Sequence, residues 1–278
     1  MFLRPTTLHD ATHALAAGGQ VLAGGTDFFP ALGSRPASGT IIDVSRISEL
    51  RGIRVASDYV RIGGATTWSE IASAPLPRCF DALRSAAREV GAVQVQNRGT
   101  IAGNLCNASP AADGVPPLLI LDAEVELASA EGLRRLPLRE FIMGNRKTQR
   151  RPDEILSAVI VPASVSDAPC VFLKLGARRY LVISISMVAA LLNSNGDGRV
   201  GTARIAVGAC SAAALRLTEL ERDLAGRPLG PELSTIVAAR HLAPLSPLDD
   251  VRATAAYRRD ATLTLVRRAI RSCVEALA

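Results

Sequence analysis

Cysteine is scarce in this sequence, and its cysteines are widely spaced. The 278 residues contain five cysteines, and no two of them have Cys-X-X-Cys spacing. An odd number of scattered cysteines argues against a disulfide framework and indicates a reducing compartment. Iron–sulfur clusters and structural zinc sites need several thiolates that converge from characteristic spacings. We therefore expect no cluster and no metal site on this chain.

The sequence also lacks a long uninterrupted apolar run. Its first residues contain no run of signal-peptide length, and the longest apolar stretch, residues 180–192, is interrupted by Ser184 and Ser186. A membrane-spanning helix needs about 20 consecutive apolar residues. With 48% hydrophobic and 21% charged residues, the composition is that of a globular protein long enough for two domains. We expect a cytoplasmic protein without a membrane span.

Aromatic residues are rare, at 4% of the chain, although the net charge is +6. The arginines occur in short runs such as Arg134-Arg135 and Arg178-Arg179, without the interleaved aromatic side chains on which nucleic-acid bases stack. Surface, partner or phosphate contacts explain this charge better than nucleic-acid binding does. We therefore expect no nucleic-acid partner.

Common catalytic and phosphate-binding motifs are missing as well. The sequence has no GxxxxGK[ST] loop and no HExxH, and no GxGxxG sequence opens a helix. The three histidines, His9, His13 and His241, fall on predicted helices, where a surface or packing role is favoured. These absences argue against a P-loop enzyme, a standard Rossmann domain and a histidine-based triad. No catalytic residue is predicted.

Two segments rich in small and polar residues are the most informative features present. Residues 100–113 contain amides, hydroxyls and one carboxylate, Asp113, but no basic residue, and residues 23–27 form a glycine-containing turn after an apolar run. Such segments bury little area but bring backbone N–H groups close to a diphosphate. Thr26, Thr100 and Ser109 offer hydroxyls to phosphate oxygens, and Asp113 offers a carboxylate to ribose.

Each of these residues also has a purely structural interpretation. Glycine pairs after strands form tight turns, and Asn104 and Asn107 satisfy their own backbone in many turns. Asp113 caps a following helix in the alternative interpretation, and Cys106 is then a small buried side chain. The combination of the two segments favours a split site for a nucleotide-like cofactor.

The order of predicted elements indicates an α+β fold in two domains. The N-terminal part mixes helices and strands, and residues 162–169 have the composition of a linker. Strands are predicted at residues 170–175, 182–192 and 200–207, followed by helices at 214–224, 231–241 and 249–276. Strands followed by helices favour an antiparallel sheet with helices on one face.

The sequence resembles the FAD-binding medium subunits of the molybdenum hydroxylase family, the xanthine dehydrogenase and carbon monoxide dehydrogenase type. The resemblance rests on Ala23-Gly24-Gly25-Thr26-Asp27 and Thr100-Ile101-Ala102-Gly103-Asn104, which are similar to the paired FAD-binding motifs of that family. It extends through residues 107–113, 144–154 and 174–179 to the C-terminal residues 249–259. It therefore covers nearly the whole chain in the family's order.

The resemblance implies an FAD-binding domain of two α+β subdomains at residues 1–165. A C-terminal domain with a three-stranded antiparallel sheet and helices is implied at residues 166–278. Leu156 and Lys174 match positions that line the flavin in relatives, whereas Val182 stands where some relatives have a stacking aromatic. From the two segments and the resemblance together, the residues expected to bind FAD are Val21, Leu22, Ala23, Gly24, Gly25, Thr26, Asp27, Phe28, Thr100, Ile101, Ala102, Gly103, Asn104, Asn107, Ser109, Asp113, Leu156 and Lys174.

The implied function is that of an oxidoreductase subunit that transfers electrons. Because the chain lacks cluster-binding cysteines, its electrons would come from another polypeptide. The resemblance implies that this is a small [2Fe-2S] subunit and that a large molybdopterin subunit hydroxylates the substrate. The external acceptor would be NAD or another carrier. Two alternatives stay open: a scaffold of the same fold that has lost FAD, and a stand-alone flavin oxidase. Retained glycines argue against the first, and the lack of a separate substrate domain argues against the second.

Overall fold

Short strands and helices alternate along residues 1–163 and 168–278, the parts of the chain that the computed structural model describes. The strands are β1 (Phe2–Leu3), β2 (Gln20–Leu22), β3 (Ile41–Asp43), β4 (Ile53–Val55), β5 (Tyr59–Gly63), β6 (Glu124–Ser129), β7 (Gly132–Pro137), β8 (Ile142–Gly144), β9 (Lys147–Thr148), β10 (Ile155–Pro162), β11 (Cys170–Leu175), β12 (Ser186–Ser194), β13 (Val200–Gly208) and β14 (Leu215–Arg216). The helices are α1 (Leu8–Ala16), α2 (Phe28–Leu32), α3 (Trp68–Ser73), α4 (Asp81–Glu89), α5 (Val93–Gln96), α6 (Ile101–Asn107), α7 (Val115–Ile120), α8 (Leu138–Phe141), α9 (Thr218–Leu224) and α10 (Ala255–Leu277).

These strands form three main sheets and one small hairpin. The first sheet is parallel, in the order β1-β3-β2. The second is antiparallel, in the order β4-β5-β10-β6-β7, and the third is antiparallel, in the order β11-β12-β13-β14. Strands β8 and β9 pair only with each other. The mixture of separate sheets and helices confirms the predicted α+β class.

The N-terminal helix α1 shows how local sequence sets an element's ends. The Thr7 hydroxyl caps the helix by accepting a hydrogen bond from the Asp10 N–H at 3.1 Å. Ala11 and Leu15, one turn apart, are buried against the parallel sheet. Gly18, with φ +97°, then takes a conformation that favours glycine and ends the helix. The turn between β2 and α2 is thereby held at the carboxyl end of the parallel sheet.

The central core joins the N-terminal and C-terminal parts of the chain. The five-stranded sheet packs against α3, α4, α6 and α7, with Trp68 and Phe80 among the largest fully buried side chains. Phe172 and Met187, from β11 and β12, belong to the same buried cluster. Full burial of such side chains contributes about 1.5–3 kcal/mol each. The C-terminal sheet is therefore fixed against α4 and α7, which share this buried cluster with α6.

The C-terminal sheet lies between two layers of helix. Strand β12 is buried from Ser186 to Leu192 because α4 and α7 lie on one side of the sheet and α10 on the other. The three predicted antiparallel strands are present, and the two-residue strand β14 extends the sheet to four. A strand this short leaves no alternating pattern in the sequence. None of the helices in the described chain is long and apolar enough to cross a membrane.

Several element boundaries differ from the sequence-based expectation for physical reasons. Helix α10 begins at Ala255 because Asp250 accepts hydrogen bonds from the Arg252 and Ala253 N–H groups, which closes a turn before the helix. The helix expected at 231–241 is two short 3-10 helices, Pro231–Ile236 and Ala239–Leu242, separated at extended Val237. Of the predicted linker, residues 164–167 lie outside the described residues.

Candidate functional site

The turn of residues 24–27 links β2 to α2 and depends on its two glycines. A Cβ at Gly24 would lie 1.9 Å from the Arg98 carbonyl oxygen, so only glycine allows the two backbone segments to approach this closely. Gly25 has φ +78°, a conformation that side chains disfavour. The Gly24-Gly25 pair is therefore needed for both a close approach and a left-handed turn.

The backbone of this turn presents unused donors. Within the described chain, the N–H groups of Gly24, Gly25, Thr26 and Asp27 donate no hydrogen bond. Successive unpartnered N–H groups around a positive φ form a concave surface that attracts anions. These residues are half-buried or exposed, and Gly24, Thr26 and Asp27 border the clefts described below, so the run of four N–H groups is available to an anionic ligand.

The second motif is a helix rather than an extended loop. The Thr100 hydroxyl caps α6 by accepting a hydrogen bond from the Gly103 N–H at 3.1 Å, which is worth about 1 kcal/mol. The Asn104 N–H donates to the Thr100 carbonyl, and the Ile101 and Ala102 N–H groups donate to Thr66 and Gly64. The expected amide cradle at residues 101–104 is therefore already satisfied by the protein.

Helix α6 contributes to the groove through two asparagine side chains and through Gly103, which leaves space for a ligand. Gly103 faces open space, since a Cβ there would meet only the Thr100 hydroxyl oxygen at 3.0 Å. The Asn107 Nδ2 donates to Asp27 Oδ1 at 3.2 Å and so connects α6 to the first motif. Asn104 Oδ1 is buried without a hydrogen-bond partner in the described chain, so it could accept a hydrogen bond from a ligand. The two motifs thus meet across one groove.

Two adjoining clefts make up this groove and share Gly24, Asp27, Gly103 and Asn107. Cleft 1, of about 330 Å³, has mostly apolar walls that include Leu156. Cleft 2, of about 560 Å³, is closed on one side by residues 181–183 of the C-terminal part. Mostly apolar clefts of this size, with a few polar groups at fixed positions, are typical of cofactor sites.

Asp113 lies buried in the wall of cleft 2. Its Oδ2 accepts from Lys174 Nζ at 2.6 Å, and its Oδ1 accepts from the Ser184 hydroxyl at 2.7 Å. Burial raises the pKa of Asp113, and the charge of Lys174 and the two hydrogen bonds only partly offset this. Both carboxylate oxygens are thus engaged by the protein, and Asp113 caps no helix, since α7 has Gly114 at its N-cap.

Most of the predicted site residues border the two clefts. Cleft 1 is lined by Val21, Ala23, Gly24, Asp27, Phe28, Ala102, Gly103, Asn107 and Leu156. Cleft 2 is lined by Gly24, Thr26, Asp27, Thr100, Gly103, Asn104, Asn107, Ser109 and Asp113. Leu22 and Ile101 are buried in the protein, and Gly25 shapes the turn. Lys174 lines neither cleft 1 nor cleft 2, but its ammonium group bonds the Asp113 carboxylate in the wall of cleft 2. It therefore does not share a cleft with Leu156.

Sequence reasoning missed several residues that line the clefts. Arg150 and Glu154 enter cleft 1 from the segment between β9 and β10. Gly64 also lines cleft 1. Only glycine fits at this position, because a Cβ would meet the Leu156 carbonyl oxygen at 2.2 Å. The pair Gly63-Gly64 after a predicted strand is a signal that could have identified this wall. Nothing in the local sequence marks Arg150, which stands in an arginine-rich run.

A second polar cluster, in the C-terminal part, is an ion-pair network. Glu219, Asp223 and His241 lie close enough to offer ligand atoms to one ion. However, the Arg240 guanidinium lies 3.3 Å from Glu219 Oε1 and 2.6 Å from Asp223 Oδ2. His241 is fully buried, accepts from the Ala238 N–H on Nδ1 and bonds Asp223 through Nε2. Because both ring nitrogens of His241 already have hydrogen-bond partners, we interpret it as a buried packing residue.

Comparison with known proteins identifies the class to which this fold and groove belong. Residues 1–164 match the family model "FAD binding domain in molybdopterin dehydrogenase", and residues 172–273 match "CO dehydrogenase flavoprotein C-terminal domain". The chain is 32% identical to the putative xanthine dehydrogenase FAD-binding subunit XdhB of Escherichia coli over 98% of this chain and 95% of that protein. It is 33% identical to the nicotinate dehydrogenase FAD-subunit of Eubacterium barkeri over 83% of this chain and 81% of that protein.

A solved structure agrees with the sequence comparisons. The structure superposes with a TM-score of 0.90 and 29% identity on a chain of carbon monoxide dehydrogenase from Hydrogenophaga pseudoflava, covering 99% of this chain and 96% of that one. The protein is therefore an FAD-binding component of an oxidoreductase. It belongs to the FAD-binding medium subunits of the molybdenum hydroxylase family.

Proposed function

We propose that this chain holds FAD in clefts 1 and 2 and transfers electrons from an iron–sulfur partner subunit to an external acceptor. The observation that carries the proposal is the run of four unpartnered N–H groups at residues 24–27, in a turn that lines the same clefts as Gly103. Those donors suit the diphosphate, the most highly charged part of FAD. Cleft 1, with its apolar walls, and the larger cleft 2 would each take one of the two ring systems.

When bound, FAD accepts electrons singly from one-electron carriers and releases them in pairs. The chain's own residues have the simpler tasks of binding and orientation. The turn of residues 24–27 would hold the diphosphate, and Asp27 is itself fixed by Asn107. Asp113 would form a wall in which Lys174 balances its charge and the Ser184 hydroxyl donates a hydrogen bond to it, which keeps that end of cleft 2 rigid.

The proposed partners rest on the family to which the chain belongs, and the cysteines of this chain agree with them. Cys79, Cys170, Cys210 and Cys273 are buried and Cys106 is half-buried, and within the described chain no three cysteines lie close enough to hold one metal ion. Several relatives are described as subunits or medium chains of dehydrogenases. The electron source in the proposal is thus a small [2Fe-2S] subunit, and substrate hydroxylation takes place on a large molybdopterin subunit. An odd number of scattered cysteines suits the cytoplasm.

A third cleft supports the exit of electrons to an anionic carrier. Cleft 3, of about 540 Å³, adjoins cleft 2 at Asp27, Asn107 and Ser109 and is lined by Arg146 and Arg258, among others. Arg258 is buried, and its Nε donates to no atom of the described chain. Asp250, which also lines this cleft, already pairs with Arg258, so Arg146 is the guanidinium group that would attract the charge of a nucleotide such as NAD. In the proposal, the acceptor meets the cofactor from this side.

The proposal includes two domains, an FAD-binding domain at residues 1–165 and a C-terminal domain at 166–278. The C-terminal domain would complete cleft 2 with residues 181–183. The scaffold alternative requires that the FAD site has been lost. The open surface at Gly103 and the unpartnered N–H groups of residues 24–27 indicate that the site is retained. The oxidase alternative requires acid–base residues beside the cleft, and the buried Asp113 carboxylate is already occupied by Lys174 and Ser184.

The visible absorption spectrum of the purified full chain tests the binding step. We expect flavin absorption, or its recovery when FAD is added to the stripped protein. A chain without flavin absorption even after FAD addition would support the scaffold alternative. The transfer step is tested by mixing the loaded chain with its reduced iron–sulfur subunit. Rapid bleaching of the flavin supports the proposal, and an unchanged flavin spectrum contradicts it.

A further inference from the structure

The two clefts are almost devoid of positive charge. Among the described residues that line clefts 1 and 2, Arg150 carries the single basic side chain. Of the carboxylates there, Glu154 pairs with Arg134 at 2.5 and 2.8 Å and Asp113 pairs with Lys174, whereas Asp27 is bonded by the Asn107 amide. Arg150 is therefore the cation available to an anionic group in this groove.

The Arg150 guanidinium is held at one nitrogen and free at the other two. Its Nη1 donates to the Glu154 carbonyl oxygen at 2.7 Å and to the Arg151 carbonyl oxygen at 3.1 Å. Its Nε and Nη2 donate no hydrogen bond within the described chain. Anchoring one nitrogen reduces the entropy lost when the rest of the planar fork binds a ligand, and such forks suit phosphate oxygens.

The charge of Arg150 is felt inside cleft 1. Burial raises the pKa of the Cys106 thiol to about 11, and the nearby positive charge of Arg150 opposes this rise. Cys106 follows Gly103 by one helical turn of α6, and both residues line cleft 1. The guanidinium therefore acts on the same face of α6 that leaves the groove open at Gly103.

We propose that Arg150 is a positioning residue that contacts the diphosphate of FAD and neutralises part of its charge. The N–H groups of residues 24–27 would contact the diphosphate as neutral donors, and Arg150 would add a positively charged contact, which neither motif contains. The inference rests on the proposed location of FAD in clefts 1 and 2. The alternative is a purely structural role, in which Arg150 only anchors the loop before β10 and does not contact the cofactor.

The test compares Arg150→Gln with Arg151→Gln in the full chain freed of flavin. Arg151 is the exposed neighbour and does not line either cleft. FAD affinity is measured by quenching of flavin fluorescence at low and high salt. We expect Arg150→Gln to weaken FAD binding about tenfold to hundredfold at low salt, with a smaller effect at high salt, and Arg151→Gln to bind normally.

Two further measurements separate a diphosphate contact from other roles. ADP and adenosine are each tested as competitors of FAD; Arg150→Gln should weaken ADP and leave adenosine unchanged. Equal loss for both competitors, or a loss independent of salt, would overturn the diphosphate contact in favour of a ring contact or a structural role. Arg150→Lys keeps the charge and should bind FAD more tightly than Arg150→Gln. If the Gln variant fails to fold, Arg150→Lys still decides the question by its ADP and adenosine affinities relative to wild type.

The result also distinguishes this inference from the proposed site. If Arg150→Gln binds FAD like wild type while Gly103→Val does not, the Arg150 contact is wrong and the site stands. If both variants bind FAD like wild type, the site itself is wrong, and the Arg150 contact falls with it.

Discussion

Lys174 Nζ and Asp113 Oδ2 lie 2.6 Å apart, both nearly buried, and join strand β11 to the segment before α7. The ammonium group also donates to the Glu89 carbonyl oxygen at 3.2 Å. Three elements of the chain therefore converge on one charged side chain. A buried pair adds little net stability compared with apolar packing, yet loss of one member leaves an uncompensated charge.

We expect Lys174→Met to lower the free energy of unfolding by about 3–5 kcal/mol, because Asp113 loses its counter-charge in a buried position. Chemical denaturation of the flavin-free chain measures the change. The double variant with Asp113→Asn should recover part of the loss, since a neutral amide needs no counter-charge. Arg179→Met, at an exposed neighbouring position, is the control and should stay within about 0.5 kcal/mol of wild type. Equal stability of Lys174→Met and wild type would contradict the pairing.

Gly103→Val should reduce FAD affinity at least about tenfold while leaving the fold intact. The added side chain projects from α6 toward both clefts, and valine is no worse than glycine in a helix. The matched control is Gly230→Val, at an extended position with open space around its Cβ. Flavin fluorescence titration gives both affinities. Normal binding by the Gly103 variant would place the cofactor away from this surface.

Gly24→Ala should destabilise the protein itself. The new Cβ would lie 1.9 Å from the Arg98 carbonyl oxygen and 3.1 Å from the Gly99 Cα, so the backbone has to move. Such overpacking costs about 1–3 kcal/mol. The measurement is the thermal midpoint of the flavin-free chain, with Gly230→Ala as the control. An unchanged midpoint would show that residues 24 and 98 do not approach closely.

The pH dependence of stability should include a contribution from Asp250. The Arg252 N–H lowers the pKa of this carboxyl most, burial opposes it, and the Arg258 guanidinium at 2.7 Å adds to the lowering, to about 2. The unfolded chain has a pKa of about 3.9 and so binds the proton first as pH falls. The stabilisation is therefore present above about pH 4 and is lost as pH drops toward 2.

Asp250→Asn removes this part of the pH dependence. Denaturant midpoints at pH 5, 4 and 3 should converge between the variant and wild type as pH falls. Asp197→Asn, in an exposed loop, serves as the control and should follow wild type. A constant difference between Asp250→Asn and wild type at all three values would rule out the proposed linkage.

The sequence predicted the first motif better than the second. A glycine pair after an apolar strand predicts a turn, and the close approach at Gly24 confirms that only glycine fits. The short helix α6 contains a glycine and two asparagines, which have low helix propensity, so its composition favours a loop. Tertiary contacts and the Thr100 cap decide its structure instead. Arg150 could not be identified, because its entry into cleft 1 depends on the path of the loop before β10.

Cleft 2 is walled by α6 on one side and by Leu181, Val182 and Ile183 on the other. A molecule that fills it touches both parts of the chain, so each contact it makes also resists their separation. At a hundredfold excess over its dissociation constant, such a ligand adds about 2.7 kcal/mol to stability. Because Leu181 and Ile183 are exposed, cleavage by a protease near these residues should slow when the cleft is filled. Limited proteolysis would then measure the loaded fraction in a crude extract, where absorption spectra cannot be read.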